Sequence, residues 1–205
     1  MLCRNNVVIS LKGRFVSYFI ATCALIAAWF AQFFVVFPVE SAIRGDGSGV
    51  IAYSYLFLPH GIKVLVALLF MASGLPIIFG VQLLAGVYFG NDLPYAVWGA
   101  LLGSIAVLAP LWLINLTMNR KLNQRIWNIQ QSNFSLFRLT FAVCVAAALL
   151  NSVAQATLAQ LMLQIEANYT VQLGFLIGDI FGGFVCVIAA IMIARYMLRR
   201  YGYAF

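Results

Sequence analysis

Apolar residues run along this chain in long stretches broken by short polar intervals. The first stretch, Phe15 to Val39, is about 25 residues long, more than the roughly 20 that a membrane-crossing helix needs. It exceeds the apolar core of a cleaved signal peptide, so it reads as an uncleaved first transmembrane helix. Glu40 to about Gly49 is a polar loop with Arg44, Asp46 and three glycines. A second apolar region runs from Val50 to about Ser73 and a third from Pro76 to Phe89. Asn91-Asp92 breaks the pattern, and Pro94 suits the first turn of a fourth segment, Leu93 to Thr117. The fifth covers about Phe134 to Leu163 and the sixth about Val171 to Tyr196.

The pattern predicts an all-α fold: a polytopic membrane helical bundle of about six transmembrane helices, forming one integral membrane domain over residues 1–205. Two intervals leave alternatives open. Ser73-Gly74-Leu75 carries no charge, and the third segment is only about 22 Å of helix against a hydrocarbon core of about 30 Å. Segments two and three therefore fit either two spans, the reading adopted in counting six, or one re-entrant hairpin. The polar stretch 119–133 places Leu122, Ile126 and Ile129 at helical spacing beside Trp127, which fits a short interfacial helix or a solvated loop.

Composition agrees with lipid as the main solvent. The chain is 64% hydrophobic and 8% charged, whereas soluble domains carry about 25% charged residues. The net charge of +7 does not indicate nucleic acid, because the basic residues gather at segment ends and no basic run is interleaved with aromatics. With alternating segments, ten of the twelve basic residues fall on one side: Arg4, Lys12, Arg14, Arg120, Lys121, Arg125, Arg138, Arg195, Arg199 and Arg200. Glu40, Asp46, Asp92 and Glu166 fall on the other. The positive-inside rule makes the basic side, and both termini, cytoplasmic.

Two charged residues escape that pattern. Lys63 and Asp179 lie inside apolar sequence, where an ionisable group is costly and marks a candidate site. Asp179 sits about eight residues into the sixth segment, roughly 12 Å deep, too far for a short carboxylate to reach water. Lys63 follows Pro59, His60 and Gly61. If its helix starts at Pro59, the ammonium can snorkel to the outer interface; if it starts near Val50, Lys63 is buried and needs a partner. Asp179 is the obvious one. The pair reads either as a structural tie or, with His60, as the lining of an outward-opening ligand or ion site. Asn151 and Gln155, four residues apart with Ser152 adjacent, form a further polar stripe suited to interhelical hydrogen bonds or to a lining.

Gly174, Gly178 and Gly182 share one face of the sixth segment, and Gly99 and Gly103 one face of the fourth. Such spacing lets helices approach closely, inside one chain or across a dimer. Cys3, Cys23, Cys144 and Cys186 form no CxxC pair and read as small buried hydrophobes, without a disulfide framework or a metal site. No Walker A loop, GxSxG elbow or HExxH occurs, and one histidine with five acids offers little acid–base chemistry. The chain reads as a non-enzyme without a cofactor.

The stretch Leu58-Pro59-His60-Gly61-Ile62-Lys63, followed by Gly74-Leu75-Pro76-Ile77-Ile78-Phe79-Gly80, resembles the start of the first type of MASE membrane-associated sensor domains. The fourth segment, ending in Asn119-Arg120-Lys121-Leu122, is similar to the place where that family closes its next helix with basic residues. The similarity covers about residues 55–122. Domains of that family usually have more helices and precede a cytoplasmic output domain, whereas this sequence ends a few residues after its sixth segment. The resemblance implies a bacterial inner-membrane sensory or ligand-binding module whose output lies in another protein. It carries over no catalytic residue.

Three functions follow as expectations. The first is that sensory or ligand-binding module, with a small-molecule ligand and a cytoplasmic partner docking on 119–133. The second is a small-solute transporter or the membrane substrate-binding subunit of one. The third is a structural subunit of a membrane complex, working through its glycine faces.

Overall fold

The computed structural model describes residues 11–44, 54–117, 133–163 and 169–201. The stretch 119–132 and the polar residues 45–53 lie outside the described residues, so the interfacial reading of 119–133 meets only the first residue of a helix at Asn133. The described secondary structure is all helical: α1 (Leu11–Ala31), a π-helical turn (Gln32–Val36), α2 (Phe37–Arg44), α3 (Leu58–Phe70), a 3₁₀ turn (Met71–Gly74), α4 (Leu75–Tyr88), α5 (Leu93–Thr117), α6 (Asn133–Leu163) and α7 (Tyr169–Tyr201). Among the described residues five stretches are long and apolar enough to cross a membrane, compatible with a multi-pass membrane protein. Glu40 sits on α2 and not in a loop, because the first helix runs on to Arg44.

One of the five stretches, Leu58–Tyr88, corresponds to the second and third apolar segments of the sequence. It is folded in two. Lys63 Nζ donates to Gln82 Oε1 at 3.2 Å. A straight helix would hold those residues about 28 Å apart, beyond the reach of their two side chains. The fold comes at Met71, whose φ of 52° lies in the left-handed region that side-chain-bearing residues rarely adopt. Pro76 in the first turn of α4 then restarts the helix without needing its missing N–H. Tyr18 fixes the tip: its ring stacks on Phe70 at 4.7 Å and its hydroxyl donates to Ser73 Oγ at 2.9 Å.

The hairpin sits low against α1. Its tip lies at Tyr18 and its start at Gln32, whose Oε1 accepts the Leu58 N–H at 3.0 Å. Fourteen residues of α1 separate those levels, about 21 Å. Each arm is of similar length and shorter than a bilayer core. The non-helical residues 54–57 run beside α7, with Ser54 buried and Tyr55 exposed. Gly178 and Gly182 give them room: a Cβ at Gly178 would strike the Ser54 carbonyl and one at Gly182 the Phe57 carbonyl. Phe57 N–H donates to Gly178 O at 2.9 Å. This glycine face thus packs within the chain, against a non-helical segment and not another helix. Gly174 is buried on the same helix.

Gly182→Ala should lower stability in detergent by about 1–3 kcal/mol, the range for overpacking, because the methyl must displace backbone. Gly80→Ala, with nothing within 4 Å of the added methyl, should be neutral or up to about 1 kcal/mol stabilising through helix propensity. Thermal unfolding of the two purified variants checks both.

Candidate functional site

Apolar arms this short leave α3 starting inside the protein, and that start carries the polar cluster. Pro59 lies in the first turn of α3, as one reading of the sequence had it. The expected snorkelling does not follow. Lys63 is 1% exposed, because residues 54–57 and α7 cover the helix start. Its ammonium turns inward to Gln82 on α4. Gln82 Nε2 in turn donates to the backbone oxygen of Gly99 on α5 at 3.0 Å. Gln155 Nε2 on α6 donates to the same oxygen, also at 3.0 Å. Gly103 has no side chain because the Gln82 amide occupies that space. Gly103 thus admits a glutamine and not a neighbouring helix backbone, while a Cβ at Gly99 would make only ordinary contacts with Gln155 and Leu158.

Asp179 and His60 form a second group. Both are fully buried, with His60 Nδ1 3.3 Å from Asp179 Oδ2. Asn151 Nδ2 donates to that same carboxylate oxygen at 2.6 Å. Asp179 Oδ1 and Asn151 Oδ1 have no hydrogen-bond partner. The expected direct Lys63–Asp179 bridge is not made: Lys63 bonds Gln82, while Asp179 meets Asn151 and His60. Asn151 joins the two groups, since it lines the same cavity as Lys63 and donates to Asp179. Gly61 locks this arrangement, since any side chain there would collide with Cys186 and the Gly182 carbonyl.

A cavity of about 290 Å³ reaches the first group. Its polar lining is Lys63, Gln82, Asn151 and Gln155, with Ser54 and Asn91. Asn91 is exposed, at the turn between α4 and α5, and marks the mouth. Aromatic rings form much of the wall: Trp29 and Phe33 on the first helix, Phe37 above them, Phe57 before α3, Phe89 after α4, Tyr95 on α5 and Phe175 on α7. Phe33 and Phe89 stack face to face at 3.5 Å, closing one side. Of the sequence candidates, Lys63, Asn151 and Gln155 line this cavity, as does Gly99. Asp179 and His60 do not; they lie behind Asn151, which touches both cavity and carboxylate.

Sequence reasoning missed Gln32, Glu40, Ser54 and Gln82. Glu40 Oε1 accepts from the N–H groups of Tyr55 and Leu56 and from the Ser54 hydroxyl, each at 3.0 Å. Gln32 donates to Ser54 Oγ at 3.0 Å while accepting from Leu58. Together they hold the residues that lead into α3: Glu40 serves the N–H groups of Tyr55 and Leu56 before the helix, and Gln32 serves that of Leu58, its first residue. Gln32 and Gln82 are uncharged polar residues inside apolar runs, a signal that was present and passed over. No group of three or more metal-ligating side chains occurs among the described residues. Comparison with protein-family models, with curated proteins and with solved structures gives no match.

Lys63→Met and Asp179→Asn should each destabilise the protein, since each leaves the other charge uncompensated in the interior. The double variant should lose less than the sum, by about 1–3 kcal/mol. A double-mutant cycle measured by thermal unfolding reads the coupling; strict additivity would show that the charges act independently.

Proposed function

We propose that this chain is a small-molecule-binding module of a bacterial inner membrane, sensory in role, with its ligand site in the outer half of the bilayer. The observation that carries the reading is the cavity that runs from exposed Asn91 to buried Lys63. A polar, partly apolar hollow of this size at membrane depth is the usual form of a ligand site. The positive-inside rule puts the mouth on the outer face, beside Asp92 and away from Arg138 and Arg195. In this reading α3 and α4 enter and leave on the outer side as a re-entrant hairpin, and four helices cross fully. Both termini stay cytoplasmic, because removing two crossings leaves every other loop on its side. The resemblance of residues 55–122 to the sensor domains supports the sensory role, with a cytoplasmic partner reading the occupied state.

A second reading, solute transport, is favoured by one specific observation. A broken, folded-back helix that carries polar groups into a cavity at membrane depth is a recurrent device of transporters. Uptake of a solute into vesicles that falls at least about tenfold in Lys63→Gln, with folding intact, would select it.

The binding reading is tested with Ala100→Cys in a background whose native cysteines are replaced by alanine. Ala100 lines the cavity below its mouth. A small membrane-impermeant thiol reagent added to intact cells should label it from outside, and Leu108→Cys, buried away from the cavity, should stay unlabelled. Failure to label Ala100→Cys from outside would overturn the outward-opening site.

A further inference from the structure

The cavity's lining narrows the chemistry of its ligand, an inference that rests on the binding reading above. Charge comes first. The one lysine in the lining is Lys63, and among the described residues no aspartate or glutamate lines the cavity. Asp179 lies behind Asn151, and Glu40 spends one oxygen on the N–H groups of Tyr55 and Leu56. The ammonium's hydrogen bond goes to a neutral amide oxygen, so it keeps donor capacity for a further acceptor. Hydrogen-bond polarity points the same way. Trp29 lines the cavity, and its buried indole N–H has no partner. A buried donor left unpaired costs about 1–3 kcal/mol, which an incoming acceptor would recover.

Shape comes second. Rings of Trp29, Phe33, Phe57, Phe89, Tyr95 and Phe175 face the space, which favours a flat apolar body over a flexible polar one. A volume of about 290 Å³ lies at the small end for ligand sites and suits one or two fused rings. An aromatic box can also hold a cation, but here an ammonium already stands in it. Asn151 Oδ1, unpaired and at the same floor, adds one acceptor for a ligand hydroxyl or N–H.

We infer that the cavity binds a small planar aromatic carboxylate, its anionic end on Lys63 and the Trp29 N–H and its ring between the aromatic walls. Because Asn151 also donates to Asp179, the bound molecule adjoins the His60–Asp179 pair through one amide.

The probes are benzoate, benzamide and benzylamine, which share a ring and differ in the charge of its substituent. They are titrated by calorimetry against the full chain in lipid nanodiscs. Benzoate should bind at least tenfold more tightly than benzylamine, with benzamide between them. Lys63→Gln should weaken benzoate tenfold or more, in line with one charge-assisted hydrogen bond. Trp29→Phe, which keeps an aromatic ring and removes the N–H together with part of the indole's bulk, should weaken benzoate severalfold while leaving benzylamine less affected, and it decides the matter if Lys63→Gln fails to fold. Benzylamine binding as tightly as benzoate, benzoate affinity unchanged in the folded variants, or no binding by any probe would each overturn the inference. Protection of Ala100→Cys from labelling separates the two levels. Protection by benzylamine alone keeps the binding site and discards the anion. No labelling at all in the absence of probe discards both.

Discussion

Inside a bilayer each backbone N–H must find its acceptor within the protein, because hydrocarbon offers none. The stretch 54–57 is not helical and packs against α7, so its donors cannot be served by a helix of their own. Glu40 takes two of them, Gln32 the one that follows, and the Gly178 carbonyl the last. Everything at the site depends on this arrangement. It lets α3 begin inside the bundle, which carries Lys63 to the floor of a cavity and His60 to Asp179. Without acceptors on α1, α2 and α7, the chain would have to start its helix nearer the surface, and Lys63 could then reach water.

The polar interior is divided in a way that limits its cost. Lys63 and Asp179 offset one another in charge, yet each is solvated by amides: Gln82 for the ammonium, Asn151 for the carboxylate. A buried pair in direct contact leaves little capacity for anything else. Solvated by amides, the cation keeps donor capacity for a further acceptor, and the acid keeps one oxygen unpaired while the other lies beside an imidazole. Glycines make this possible by yielding volume to polar atoms. Gly103 admits Gln82, while Gly178 and Gly182 admit backbone carbonyls.

Much of the fold was legible in the sequence because helix length in lipid is a matter of counting apolar residues. The fourth segment, Leu93 to Thr117, matches α5, and the fifth differs from α6 by one residue. The folding back of Leu58–Tyr88 near Ser73-Gly74-Leu75 was common to both readings of those segments, two spans or a re-entrant hairpin. Its deciding contact, Lys63 with Gln82, joins residues nineteen apart, and no hydrophobic period encodes such a pairing. Lys63, Asn151 and Gln155 stood out as polar residues in apolar sequence. Gln82 belonged to the same class, but an uncharged amide weighs less in a scan led by charge. The placement of Pro59 was foreseen as decisive for Lys63. It was not, since what buries the lysine is the non-helical segment before the helix, whose path depends on Glu40 and Gln32 some twenty residues earlier.

The backbone oxygen of Gly99 receives an amide from α4 and another from α6. It is a junction with no side chain of its own. No substitution can delete that oxygen, so a genetic survey of the site would find only its two donors and would see them as unrelated glutamines on distant parts of the chain. Their shared acceptor ties the hairpin and α6 to one point on α5, through a contact that no side chain of α5 makes.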